Sequence, residues 1–198
     1  MISIAPSTLH GTDDSRLENL VATLAGERLV GVRYVPLSGA SWANYSDLDG
    51  VHEVDMAVEL VTGSGLSVRV SWATPGREEG LWLTLGPEGE RTSGDPVDVD
   101  DVSGHHDWSA ILGSLVETVA VAFLRHGYDS SVRPWSFRIG FSGGSSVTVA
   151  LGETASHRIH YMPTTLVVIF DEATARTYEV VDALQPAWGE NVRVPRRS

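Results

Sequence analysis

The chain contains no cysteine and no lysine. The first absence excludes disulfides, thiolate metal sites, iron–sulfur clusters and cysteine nucleophiles together. The second removes Schiff-base and phosphate-loop lysines, and no G-x-G-x-x-G, P-loop or H-E-x-x-H sequence is present. Kinase, pyridoxal and Walker-type chemistry are therefore out, and no cofactor is expected. Long apolar runs are lacking too. The longest, Trp108 to Leu124, carries Glu117 and falls short of the roughly 20 apolar residues a bilayer requires. Met1 to Gly11 has neither the basic start nor the apolar centre of a signal peptide, so a cytoplasmic location with no membrane contact is expected.

Positive charge is scarce. Fourteen arginines face 26 acids, and without the tail residues Arg193, Arg196 and Arg197 the formal charge falls from −12 to −15. Such a field repels nucleic acid and favours cationic partners. The acids gather in two segments, Asp47 to Asp55 and Glu88 to Asp101. Apart from this imbalance the composition, 42% apolar and 20% charged, is that of an ordinary globular chain able to fold unaided. At 198 residues one compact domain is expected.

The patterning predicts an α+β fold, with antiparallel sheet built from hairpins and packed against two helices. Leu17, Leu20, Val21 and Leu24 follow the i, i+3, i+4, i+7 rule of an amphipathic helix over about 13–25, with Gly26 placed to end it. Leu29 to Val35 reads as a strand stopped by Pro36, and Leu37 to Val51 as a long loop. Val54, Met56, Val58 and Leu60 alternate with Asp55, Ala57 and Glu59 ahead of Gly63-Ser64-Gly65, and Val68, Val70 and Trp72 continue beyond it as the return arm of a hairpin. Leu81, Leu83 and Leu85 suggest a third strand. The acidic stretch at about 86–107 reads as a loop between two β-rich halves. The apolar run at about 108–126, preceded by Asp107 as an N-cap, reads as a central helix. A second hairpin follows, Trp135 to Phe141 and Val147 to Leu151 around Ser142-Gly143-Gly144, then strands over His157 to Met162 and Leu166 to Phe170 and an edge over Ala175 to Val181. The chain ends in a short basic tail.

Several motifs lose their chemistry in context. Gly140-Phe141-Ser142-Gly143-Gly144 has the G-x-S-x-G spacing of a nucleophile elbow, but a strand follows where that motif needs a helix. Asp47-Leu48-Asp49-Gly50 shares part of a calcium-loop pattern; aligning Gly50 with the invariant glycine puts Tyr45 and Met56 where ligands belong. His105-His106-Asp107 is the densest cluster of potential ligands or acid/base groups, although adjacent residues rarely address one centre. His157 and His160, an odd separation on a strand, point to opposite faces. Arg158 and His160 share a face, which with Arg138 and Arg69 would form a cationic stripe if their strands were neighbours.

These features predict a binding protein rather than an enzyme. The leading expectation is an immunity- or inhibitor-type protein that neutralises a basic protein partner through Asp47, Asp49, Glu53, Asp55, Asp95, Asp98, Asp100 and Asp101, with Trp42 and Trp82 as aromatic anchors. The alternative is an enzyme or small-ligand-binding domain with its site near His105, His106, Arg138, Arg158 and His160. A structural subunit displaying an apolar patch around Trp42, Trp82 and Trp188 is a third.

Overall fold

The computed structural model describes residues 1–6, 15–37, 41–74, 79–89, 98–125, 132–181 and 183–189. Antiparallel sheet dominates, with a few short helices, in an α+β fold. A six-stranded sheet has the order β1 (Ile2–Ile4), β6 (Gly80–Pro87), β5 (Leu66–Ala73), β4 (Ala57–Thr62), β2 (Leu29–Val35) and β7 (Asp100–Asp101). A five-stranded sheet has the order β3 (Val51–Val54), β13 (Leu166–Ile169), β10 (Ser146–Leu151), β9 (Val132–Phe141) and β8 (Val116–Arg125). A two-stranded ribbon, β11 (Glu153–Ala155) with β12 (Arg158–His160), stands apart from both.

The apolar alternation explains why the two larger sheets share one core. Val58 and Leu60 pair with Val70 and Val68 across β4 and β5 and turn inward. Phe137 and Ile139 pair with Val149 and Val147 across β9 and β10 and join the same cluster. The helix α1 (Ser15–Leu24) buries its predicted stripe, Leu17, Leu20, Val21 and Leu24, and Gly26 leaves it at φ +79°. At the corner, 26–29 and 113–116 exchange four backbone hydrogen bonds, among them Leu29 N–H to the Ser114 carbonyl at 3.0 Å, which joins the starts of β2 and β8.

The predicted helix at 108–126 is not formed. Only α2 (His106–Ser109) is helical; Gly113, at φ +85°, lies in the turn that follows, and 116–125 is the strand β8. Val116, Thr118, Val119 and Val121 are β-branched and favour the extended chain. An apolar run buried on both faces carries no alternation to distinguish it from a buried helix. Here one face meets the core through Val119, Val121 and Phe123, while residues 183–189 return along the strand, with Leu184 N–H bonding to the Phe123 carbonyl at 2.8 Å and Gly189 lying against Ala120. Asp107 is accordingly not an N-cap. His105 takes that position, with no side-chain cap bond.

Three further corrections follow from the pairing. Val54 does not continue into β4, because the chain breaks at Asp55-Met56 and β3 joins the other sheet through Val54↔Leu166 and His52↔Val168. Ala175 to Val181 is no edge strand: α3 (Glu172–Thr177) covers part of it, capped by the Asp171 carboxylate accepting from Thr174 N–H at 2.7 Å. The stretch at 86–107 is not wholly loop. Within it β6 runs to Pro87, β7 pairs with β2, and α2 begins; residues 90–97, Asp95 among them, lie outside the described part.

Gly80 shows how tightly the sheets meet. A Cβ there would lie 2.8 and 2.9 Å from Pro6 ring carbons and 3.1 Å from the Pro134 carbonyl. Proline rings and backbone yield little, so Gly80→Ala should lower unfolding free energy by about 1–3 kcal/mol in denaturant titrations; an unchanged midpoint would contradict this packing.

Candidate functional site

The most concentrated polar chemistry lies where β2, β3 and α2 meet. Tyr34 on β2 is fully buried, and its hydroxyl accepts from Trp108 Nε1–H at 2.7 Å and lies 2.8 Å from His52 Nδ1. His52 Nε2 lies 3.0 Å from an Asp107 carboxylate oxygen. An indole N–H can only donate and a carboxylate can only accept, so with a neutral His52 ring the chain has a direction: Trp108 donates to Tyr34, Tyr34 to His52 Nδ1, and His52 Nε2–H to Asp107. Burial keeps the His52 ring in that neutral form, with its proton on Nε2. Burial, then the neighbouring His105, depress its pKa from the usual 6.5 to about 4, outweighing the opposing pull of Asp107. Burial likewise pushes the Tyr34 hydroxyl well above its usual range.

The local sequence builds this corner. Trp42 packs edge-on against Tyr34, ring centroids 4.8 Å apart, and its Nε1–H bonds to the Glu53 carbonyl at 2.8 Å. Asn44 brackets His52, donating to the Val51 carbonyl at 3.1 Å and accepting from Glu53 N–H at 3.1 Å. Phe170 closes the other side, 4.9 Å from the His52 ring and 4.8 Å from Trp108.

Three histidines surround one carboxylate. Besides His52, His106 Nε2 lies 3.0 Å from Asp107 Oδ1, and His105 Nδ1 lies 3.6 Å from Oδ2. The extended backbone of His105, φ −65° and ψ 142°, ahead of the helical turn lets residues two apart address one centre, which adjacency alone had argued against. His105 Nδ1 is buried with no hydrogen-bond partner. Above the cluster opens a recess of about 380 Å³, walled by 44–51 on one side and 105–107 on the other, with Asp47, Asp49 and Asp107 in its lining. No arginine lines it among the described residues.

The other predicted residues disperse. Arg138 stacks on the Trp188 ring, 3.2 Å from its centroid, and Arg176 lies over the same ring at 4.2 Å. Arg158 and His160 sit on the ribbon, and Arg69 belongs to the six-stranded sheet, so the strands expected to carry a cationic stripe are spread over three sheets. None of Arg138, Arg158 and His160 lines the recess.

Of the acids, Asp47 accepts from His157 N–H at 2.8 Å, Glu53 from Thr154 N–H at 2.6 Å, Asp55 from Leu37 N–H at 3.3 Å and Asp101 from Ser103 N–H at 2.9 Å. Asp100 accepts from Trp42 N–H. Asp49 and Asp98 are exposed. Trp82 is half-buried and donates to Ser3 Oγ at 2.9 Å. Ser142 sits in the β9–β10 turn, its hydroxyl accepting from Leu115 N–H at 3.0 Å.

His52 and Tyr34 were not singled out from sequence. The available signal was a histidine two residues before Val54, on the same face of a short strand, where a polar side chain breaks the apolar pattern. Chemically the corner gathers imidazole nitrogens and one carboxylate of the kind that ligate cations. Tyr34, with no exposed surface, cannot reach a substrate as a nucleophile. No known protein family, curated protein or solved structure matches the chain, so function is argued from the chemistry of the site.

The depressed His52 pKa fixes a pH response. Between about pH 6.5 and about pH 4 the unfolded chain takes up a proton that the folded one refuses, so stability rises with pH across that window. The His52 contribution amounts to about 3 kcal/mol. Histidine Cε1–H resonances should show one ring titrating near pH 4, and His52→Gln should flatten the pH dependence of the unfolding midpoint; a His52 midpoint near 6.5 would contradict the burial argument.

Proposed function

We propose that the protein is a small-ligand-binding domain whose site is the acidic, histidine-floored recess between 44–51 and 105–107, and that its ligand is cationic. The observation that carries this reading is the unpartnered, buried His105 Nδ1 beside the Asp107 carboxylate at the foot of that recess. A buried polar nitrogen without a partner is uncommon in folded proteins, and a group bound in the recess would supply the missing contact. The acidic lining selects the sign of that group.

Methylguanidinium is a suitable probe. Titrated into isotopically labelled protein, it should move the amide signals of 44–52 and 105–107, whereas acetate should not. Asp49→Asn should weaken binding about twofold to fivefold, as expected for one exposed ion pair. Equal responses to both ions, or none, would sink the reading.

A second reading is the immunity- or inhibitor-type protein that docks a basic protein through its acids. The excess of 26 acids over 14 bases and the exposure of Asp49, Asp98 and Asp101 favour it. Converting those three to asparagine should then reduce association with a poly-arginine peptide at low salt more than converting Glu18, Glu117 and Glu179, which are also exposed. An equal loss in both triple variants would reduce the effect to net charge alone.

A further inference from the structure

We infer that the cation held at the foot of the recess is a divalent transition metal ion, ligated by His52 Nε2, His105 Nδ1 and the Asp107 carboxylate. This rests on the recess being the binding site. The three donor atoms lie within 4.8 Å of one another, and two of the separations are 3.0 and 3.6 Å. Donors at about 2.0–2.2 Å from a tetrahedral ion are spaced about 3.3–3.6 Å apart, and those two separations, 3.0 and 3.6 Å, lie on either side of the middle of that range. Two imidazoles and one carboxylate form a donor set suited to zinc and its neighbours rather than to calcium or magnesium, which take oxygen ligands.

The surroundings match what such a site needs. His106 Nε2, 3.0 Å from the other Asp107 oxygen, orients the carboxylate from outside the donor set. His105 Nδ1 gains the partner it otherwise lacks. The recess leaves the remaining coordination positions reachable by water or a small molecule.

Coordination at His52 Nε2 has a definite proton consequence. The ring can give Nε2 to the metal and stay neutral only by carrying its proton on Nδ1. Tyr34 then turns from donor to acceptor, receiving Nδ1–H as well as the Trp108 indole N–H. Metal binding thus reads out as a tautomer switch of one buried histidine, without net proton release from that ring. Tyr34 takes the part of a hydrogen-bond acceptor behind a metal-bound imidazole.

The test uses the full chain freed of metal with a chelator and then titrated with zinc chloride, while imidazole nitrogen resonances are followed. One equivalent should saturate binding, and His52 should pass from the Nε2–H to the Nδ1–H form. His105→Ala and, with less disturbance of shape, Asp107→Asn should each weaken zinc binding at least about tenfold. Zinc uptake that leaves the His52 tautomer unchanged, or that both variants retain at full affinity, would overturn the assignment, as would no uptake. If methylguanidinium still moves the recess signals when zinc does not bind, the metal assignment falls and the recess reading stands. If neither probe binds, both fall.

Discussion

Three hydrogen bonds in series, from the Trp108 indole through the Tyr34 hydroxyl and the His52 ring to the Asp107 carboxylate, tie the six-stranded sheet to the five-stranded one and both to α2. Tyr34 belongs to the first sheet, His52 to the second, and Trp108 and Asp107 to the helical turn. In an apolar setting, breaking one link leaves its neighbours without partners, at about 1–3 kcal/mol for each orphaned group. Because every donor has one acceptor, the alignment of the three elements is set by direction as well as by distance. Apolar packing alone would tolerate more sliding.

The same corner shows why a polar cluster can sit inside a β-rich core. Aromatic rings from Trp42, Trp108 and Phe170 exclude water from His52, and that exclusion suppresses its charge. Asp107 lies at the boundary, with one oxygen turned to the buried ring and the other to the largely exposed His106. A neutral base inside and a shared carboxylate at the rim form a gradient of solvation across a few ångströms. A group entering the recess therefore meets side chains that range from the buried His52 to the largely exposed His106.

Much of the fold was legible because its signals are local. The α1 stripe, the turn at Gly63-Ser64-Gly65 and the β9–β10 hairpin all follow from periodicity and glycine placement. The error at 108–126 has a physical cause: β8 is buried on both faces from Val119 to Leu124, so the alternation that identifies a strand is absent there, and only its β-branched residues hinted at the outcome. The break at Asp55-Met56 went unread because β3 keeps the phase of β4 while pairing in another sheet. For the site, His105, His106 and Asp107 stood out as a cluster, whereas Tyr34 and His52 lie 18 residues apart and are joined to it only by tertiary structure. Arg158 and His160 share the ribbon strand β12, whereas Arg138 lies on β9 in another sheet.

Asn44 has a consequence beyond holding His52. β3 lies at the edge of its sheet, and an unprotected edge offers free backbone donors and acceptors to any extended chain that drifts past. By occupying the Val51 carbonyl and the Glu53 amide with its own side-chain amide, Asn44 imitates one residue of a neighbouring strand and ends the ladder there. With the Trp42 indole N–H on the Glu53 carbonyl, that carboxamide leaves fewer backbone groups free for edge-to-edge pairing at the strand that carries the buried histidine.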